Sequence, residues 1–178
     1  MLRPSCFAIR TIGVALLMGA VPLLVVASVA DRAVSERTVH VSGSGTDELN
    51  RAIVFSKQPT ATGVIQQSTE TIELSGDLHG RVLYQVTSVL DSKANTLVNT
   101  GDQVFSGTVA GSQPVMLHDS QFRFEVNLAS GEDQGSVYLF DHIAGPHVQC
   151  TLKVRGTGKD PDGNPTFRYS GACTFGSE

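Results

Sequence analysis

The chain has 178 residues, 40% hydrophobic and 17% charged, with 18 glycines, 7 prolines and a formal charge of −4. That length suits one domain with its own core, and the composition is neither disordered nor fibrous. The acidic balance argues against nucleic acid as a partner, and four lysines with no tryptophan do not indicate a surface that reads carbohydrate.

Residues 1–30 read as a secretory signal peptide, drawn as an N-terminal signal helix. Arg3 and Arg10 precede an apolar run from Thr11 through Val29, and Ser28-Val29-Ala30 offers small residues for cleavage. Left uncut, the run is long enough to cross a bilayer, although Pro22 interrupts it. The leader is therefore the one expected route to a membrane. Cys6 lies before the apolar run, so the pattern is not that of a lipoprotein. Removing the segment takes away two arginines and leaves an acidic domain, expected to be secreted or periplasmic.

Residues 31–61 read as an N-terminal tail with a short strand and a short helix. Thr46 is placed to cap one or two turns over Thr46–Ile53, with Asp47 and Glu48 in the first turn. Val54 and Phe55 suit a strand, and Gln58-Pro59-Thr60 ends whatever precedes it.

From Thr62 the hydrophobic period is two. Ile72 and Leu74 alternate with Thr71 and Glu73 before the turn-rich Ser75-Gly76-Asp77-Leu78-His79-Gly80. Val82, Tyr84 and Val86 alternate next, and Phe122, Phe124, Val126 and Leu128 do so most clearly. Shorter runs fall at Val104–Ala110, Val115–His118 and Val137–His142. The fold class is all-β: a single antiparallel up-and-down β-barrel of about seven or eight strands over residues 62–178, with a β-sandwich as the alternative.

Cys150 and Cys173 remain once the leader is gone, and an exported chain with two cysteines is expected to pair them. Alternation runs through Val148–Arg155 and Phe167–Phe175, around the turn-rich 156–165. Folding these as a hairpin centred near Asp162 sets Cys150 opposite Cys173, Val148 opposite Phe175 and Val154 opposite Tyr169. The pairing of Val137–His142 with the Cys150 strand stays open. One register sends Val137 and Leu139 to the cysteine face, and a shift by one sends Tyr138, Phe140 and His142 there.

The Ser75–Gly80 turn, the run Phe105-Ser106-Gly107-Thr108-Val109-Ala110-Gly111 and the late strands resemble small calycin-type barrels. That group includes the bacterial relatives of allene oxide cyclase and the dirigent proteins. The resemblance spans roughly Thr62 to Phe175 and implies a barrel enclosing a cavity; it carries no family catalytic residue over to this chain.

Little points to catalysis. No G-x-S-x-G elbow, H-E-x-x-H or nucleotide-binding glycine loop occurs. His142 and His147 flank a turn beside Asp141, with His118-Asp119 elsewhere, but without ligand spacing no metal is expected. Asp160, Asp162 and Asn164 mimic a calcium loop, yet Pro165 and Gly171 replace its glycine and glutamate, so a turn is expected. No cofactor is implied. Arg123 and Glu125 are expected to pair across strands. The aromatic residues Tyr84, Phe105, Phe122, Phe124, Phe140 and Tyr169 fill a core in one reading and line a pocket for a small apolar molecule in the other. Three functions follow: binding of such a molecule without chemistry, an allene oxide cyclase-like isomerase needing an inward polar group such as Glu125 or His142, and an interaction module with a solid core.

Overall fold

Alternation of side chains across a pleat is what builds this molecule. A computed structural model describes residues 36–176, so the expected signal segment and its cleavage point lie outside the described residues. Eleven strands form one antiparallel sheet: β1 Arg37–Asp47, β2 Ile53–Pro59, β3 Gly63–Gly76, β4 Leu78–Asp91, β5 Thr96–Val109, β6 Val115–Asp119, β7 Arg123–Asn127, β8 Asp133–Leu139, β9 Asp141–Ala144, β10 Val148–Lys159 and β11 Pro165–Phe175.

Eight of them close into a ring, β1-β3-β4-β5-β7-β8-β10-β11, with β11 pairing back to β1. The expected barrel is therefore present, and closure leaves no free edge around the ring. The three extra strands continue ring positions past a break. β1 and β2 both pair with β3, β6 and β7 both pair with β5, and β9 meets β6 where β8 meets β7. The helix expected over Thr46–Ile53 is a single 3-10 turn, Leu49–Arg51, entered from Glu48.

The terminal hairpin has the register set by its cysteines. Cys150 faces Cys173 and the two form a disulfide, with Val148 opposite Phe175, Val154 opposite Tyr169 and a bulge between Gly156 and Gly158. Asp160 supports the turn by accepting N–H bonds from Asp162 and Asn164. The open register resolves as Cys150 to Leu139 and Leu152 to Val137, so Tyr138 and Phe140 face outward.

The core gathers at one end of the barrel, around Val41, Leu74, Leu78, Val82, Phe105, Val109, Val115, Leu117, Leu139, Val148, Leu152 and the disulfide. Rings are accommodated because neighbouring strands offer glycine. Tyr169 lies over Gly43, Phe167 over Gly45 and Phe124 over Gly135, each pair directly opposite across two strands. A Cβ at any of these glycines would meet the ring at 2.2–2.7 Å. An eight-stranded barrel is narrow enough for such side chains to fill it.

Candidate functional site

The other half of the interior is built differently. The inward positions of β3 read Gln66, Ser68, Glu70, Ile72 and Leu74, so the row turns from apolar to polar partway along one strand. Opposite them on β4 stand Ser88, Val86 and Tyr84, and on β5 Asn99, Gly101 and Gln103. Ser68, Glu70, Tyr84 and Gln103 are buried, whereas Gln66, Ser88, Asn99, Leu97, Phe124 and Val126 are only half-buried although they face inward. That gradient marks a mouth.

At its floor two carboxyl groups share one phenol. The Tyr84 hydroxyl oxygen lies 2.6 Å from Glu70 Oε2 and 2.7 Å from Asp47 Oδ2. The Ser68 hydroxyl donates to Glu70 Oε1 at 2.5 Å. A phenol has one proton to give, so its second short contact needs a proton from a carboxyl. Asp47 is the group suited to hold it. Burial, opposed by the Tyr84 hydrogen bond but reinforced by the charges of Glu70 and Glu48, pushes its carboxyl up to about 7. Burial, then the charges of Asp47 and Glu70, hold the Tyr84 phenol protonated far above its usual range. Phe122 packs edge-on against the Tyr84 ring, with centroids 5.8 Å apart.

Two acceptors are left over. Asp47 Oδ1 and Asn99 Oδ1 are buried with no hydrogen-bond partner among the described residues. Such atoms cost stability unless a donor reaches them.

Other polar groups serve the frame. Asp119, at the break between β6 and β7, accepts from Gln103 Nε2, from the Tyr138 N–H and from the Gln121 N–H. It thereby satisfies backbone that the breaks leave without ladder partners. Tyr169 accepts from the Leu78 N–H at 2.7 Å and has the Ser75 and Leu78 carbonyls within reach of its own proton, pinning the β3–β4 turn.

Of the aromatic residues singled out in the sequence, Phe105, Tyr84, Phe122 and Tyr169 are buried, Phe124 is half-buried, and Phe140 is exposed beside Tyr138. Glu125 is not the inward polar group: it pairs with Arg123 on the exterior, along β7 rather than across strands, while half-buried His142, opposite Leu117 on β6, contacts the Gly145 carbonyl away from Tyr84. Asp47 and Glu70 take that place; sequence reasoning passed over both. The signal for Glu70 was its inward parity with Ile72 and Leu74 on β3, and that for Asp47, expected in a helical turn, was its parity with Val39 and Val41 on β1. His118 sits outside between Asp141 and Asp102, at 3.0 and 3.2 Å, and the Asp141 hydrogen bond raises its pKa above the usual value. Among the described residues no group of three or more ligating side chains is arranged to hold a metal ion.

No family model, curated protein or solved structure matches the chain.

Proposed function

We propose that this is an exported barrel that takes a small, mainly apolar molecule into its polar mouth and holds it by a hydrogen-bond donor such as an amine or hydroxyl. The observation that carries the reading is the buried, unpartnered Asp47 Oδ1 beside the Asp47–Tyr84–Glu70 cluster. A donor reaching it removes a desolvation penalty of about 1–3 kcal/mol, which is enough to favour one ligand class over another. Half-buried Phe124, Leu97 and Val126 supply apolar wall, and buried Tyr84 and Phe122 the floor. The disulfide favours an oxidising compartment, in keeping with the signal-like residues 1–30. In this reading nucleic acid is not a partner, and the only membrane contact is an uncut leader.

The test compares long-chain alkyl amines, alcohols and carboxylates of equal length by thermal shift and by displacement of an apolar fluorescent probe. Saturable binding in the order amine or alcohol above carboxylate is expected, with Asp47→Leu, which removes the acceptor, weakening the amine and the alcohol at least tenfold. Absence of saturable binding by any of the three from folded protein overturns the reading.

A second reading rests on the proton-holding Asp47 beside Glu70. A carboxyl poised near neutrality is suited to proton transfer in an isomerase or cyclase of the allene oxide cyclase type, where a shaped mouth folds the substrate. Turnover that follows a pH profile centred near 7 and vanishes in both Asp47→Asn and Glu70→Gln distinguishes it from binding alone.

A further inference from the structure

The barrel carries a second concavity on its outside, separate from the mouth. Two registered rows of outward side chains cross β8, β10, β11 and β1, the first reaching on to β3. The first runs Gln134, Arg155, Arg168, Ser44, Ser75, each opposite the next across neighbouring strands. The second runs Ser136, Lys153, Ser170, Ser42. Serines on β1, β3 and β11 are too short to fill the curve of the sheet, and a groove of about 800 Å³ remains. At about 4.8 Å between strands, five strands give it a length on the order of 19 Å.

Its charge is one-sided. Lys153, Arg155 and Arg168 line the groove and no carboxylate does; Asp77 accepts from the Ser42 N–H at 2.7 Å and more loosely, at 3.4 Å, from the Ser42 hydroxyl. Elsewhere on the exterior Arg51, Arg81 and Arg123 are each held by a glutamate. Among the described residues Arg155 and Arg168 have no ion pair, and Lys153 reaches only the Ser136 hydroxyl at 2.8 Å. Arg155 stands directly opposite Arg168, an arrangement that costs stability when nothing neutralises it. In a chain of formal charge −4, two unpaired guanidinium groups kept side by side call for an anion.

From these rows we infer that the outer groove binds a linear acidic polysaccharide, its carboxylate or sulfate groups on Arg155, Arg168 and Lys153 and its hydroxyls on Ser42, Ser44, Ser75, Ser170 and Gln134. The length suits a short run of sugar units, and serine and glutamine match ligand hydroxyls in both donor and acceptor roles. A single-stranded nucleic acid would want exposed aromatic faces for its bases. The groove has none, because the one ring against it, Tyr169, is buried in the core.

The experiment titrates the purified protein with heparin, polygalacturonate, neutral dextran and a single-stranded oligonucleotide. Binding of heparin or polygalacturonate, weakening as salt rises, is expected, with no binding of dextran. The two acidic polymers separate sulfate from carboxylate as the preferred group. Arg155→Gln/Arg168→Gln should lower affinity at least tenfold, and Lys153→Gln by a smaller factor. The double variant should melt no lower than the parent, because a like-charge pair is removed, so lost binding is not lost folding. Unchanged affinity in the folded double variant overturns the inference, as does failure to bind either acidic polysaccharide. An oligonucleotide that binds as tightly as the acidic polysaccharides overturns it too, since the groove would then be a plain polyanion surface. The mouth variant Asp47→Leu should leave polysaccharide affinity unchanged, keeping the two sites distinguishable.

Discussion

Asp47 ties its protonation to the stability of the barrel. Its carboxyl moves from 3.8 to about 7 on folding. A folded pKa above the unfolded one means the native state binds more protons between those values, so stability falls as pH rises from about 4 to 7 and is level above that. Three pH units correspond to at most about 4 kcal/mol. Asp47→Asn is neutral at every pH and should therefore flatten this slope. Urea denaturation should find the variant more stable than the parent at pH 8 and little changed at pH 4. Equal effects at both values would mean that the carboxyl is not buried with its proton. Tyr84→Phe removes the hydroxyl that both acids use, and should cost about 1–3 kcal/mol by the same measurement. Neither Asp47 nor Glu70 announced itself as a site residue in the sequence. Glu70 alternates with Thr69 and Thr71 as any exposed acid would, and only its shared parity with Ile72 and Leu74 turns it inward.

Among the elements, the β10–β11 hairpin was the most legible, since two constraints, the cysteines and the alternation, selected one register. The disulfide links positions 23 apart and should contribute about 3 kcal/mol in the chain-entropy model. A Cys150→Ala/Cys173→Ala variant compared with the parent by urea denaturation checks this, the expectation being a lower midpoint at a similar slope. β1 was harder to read. Its inward positions run Val39, Val41, Gly43, Gly45, so the apolar signal fades where Tyr169 and Phe167 from β11 occupy the space. β6 and β7 read as separate runs because the break at Ser120–Phe122 interrupts hydrogen bonding, whereas Val137–His142 read as one run although Phe140 divides it between β8 and β9. Asp119, which holds both breaks, looks in sequence like any loop acid.

At the scale of the molecule, closure distributes stability unevenly. Every ring strand has a partner on both sides, whereas β2 pairs only with β3, exposing Ile53, Val54 and Phe55, and β9 pairs only with β6, exposing Ile143. Amide hydrogen exchange should therefore be fastest in β2 and β9 among the strands and slowest in β10, β11 and the paired halves of β4 and β5. Comparable protection across all eleven strands would contradict the single-sided pairing. Lys57, Pro59 and the bulge between Val54 and Ser56 blunt this edge against pairing with another chain. An all-β barrel was readable from period-two alternation because each ring strand has one apolar face. The division of its interior into a dry end and a polar mouth was not, since polar residues carry the same symbol whether they face water or a barrel axis.

The seating of rings on glycines has a bearing on redesign. Because Phe167, Phe124 and Tyr169 each rest on bare backbone, shortening one of them withdraws contents without displacing any opposing side chain. Phe124 and Phe167, both toward the mouth, are then adjustable plugs: Phe124→Ala or Phe167→Ala would hollow the vessel by about a ring's worth of space while the staves keep their spacing.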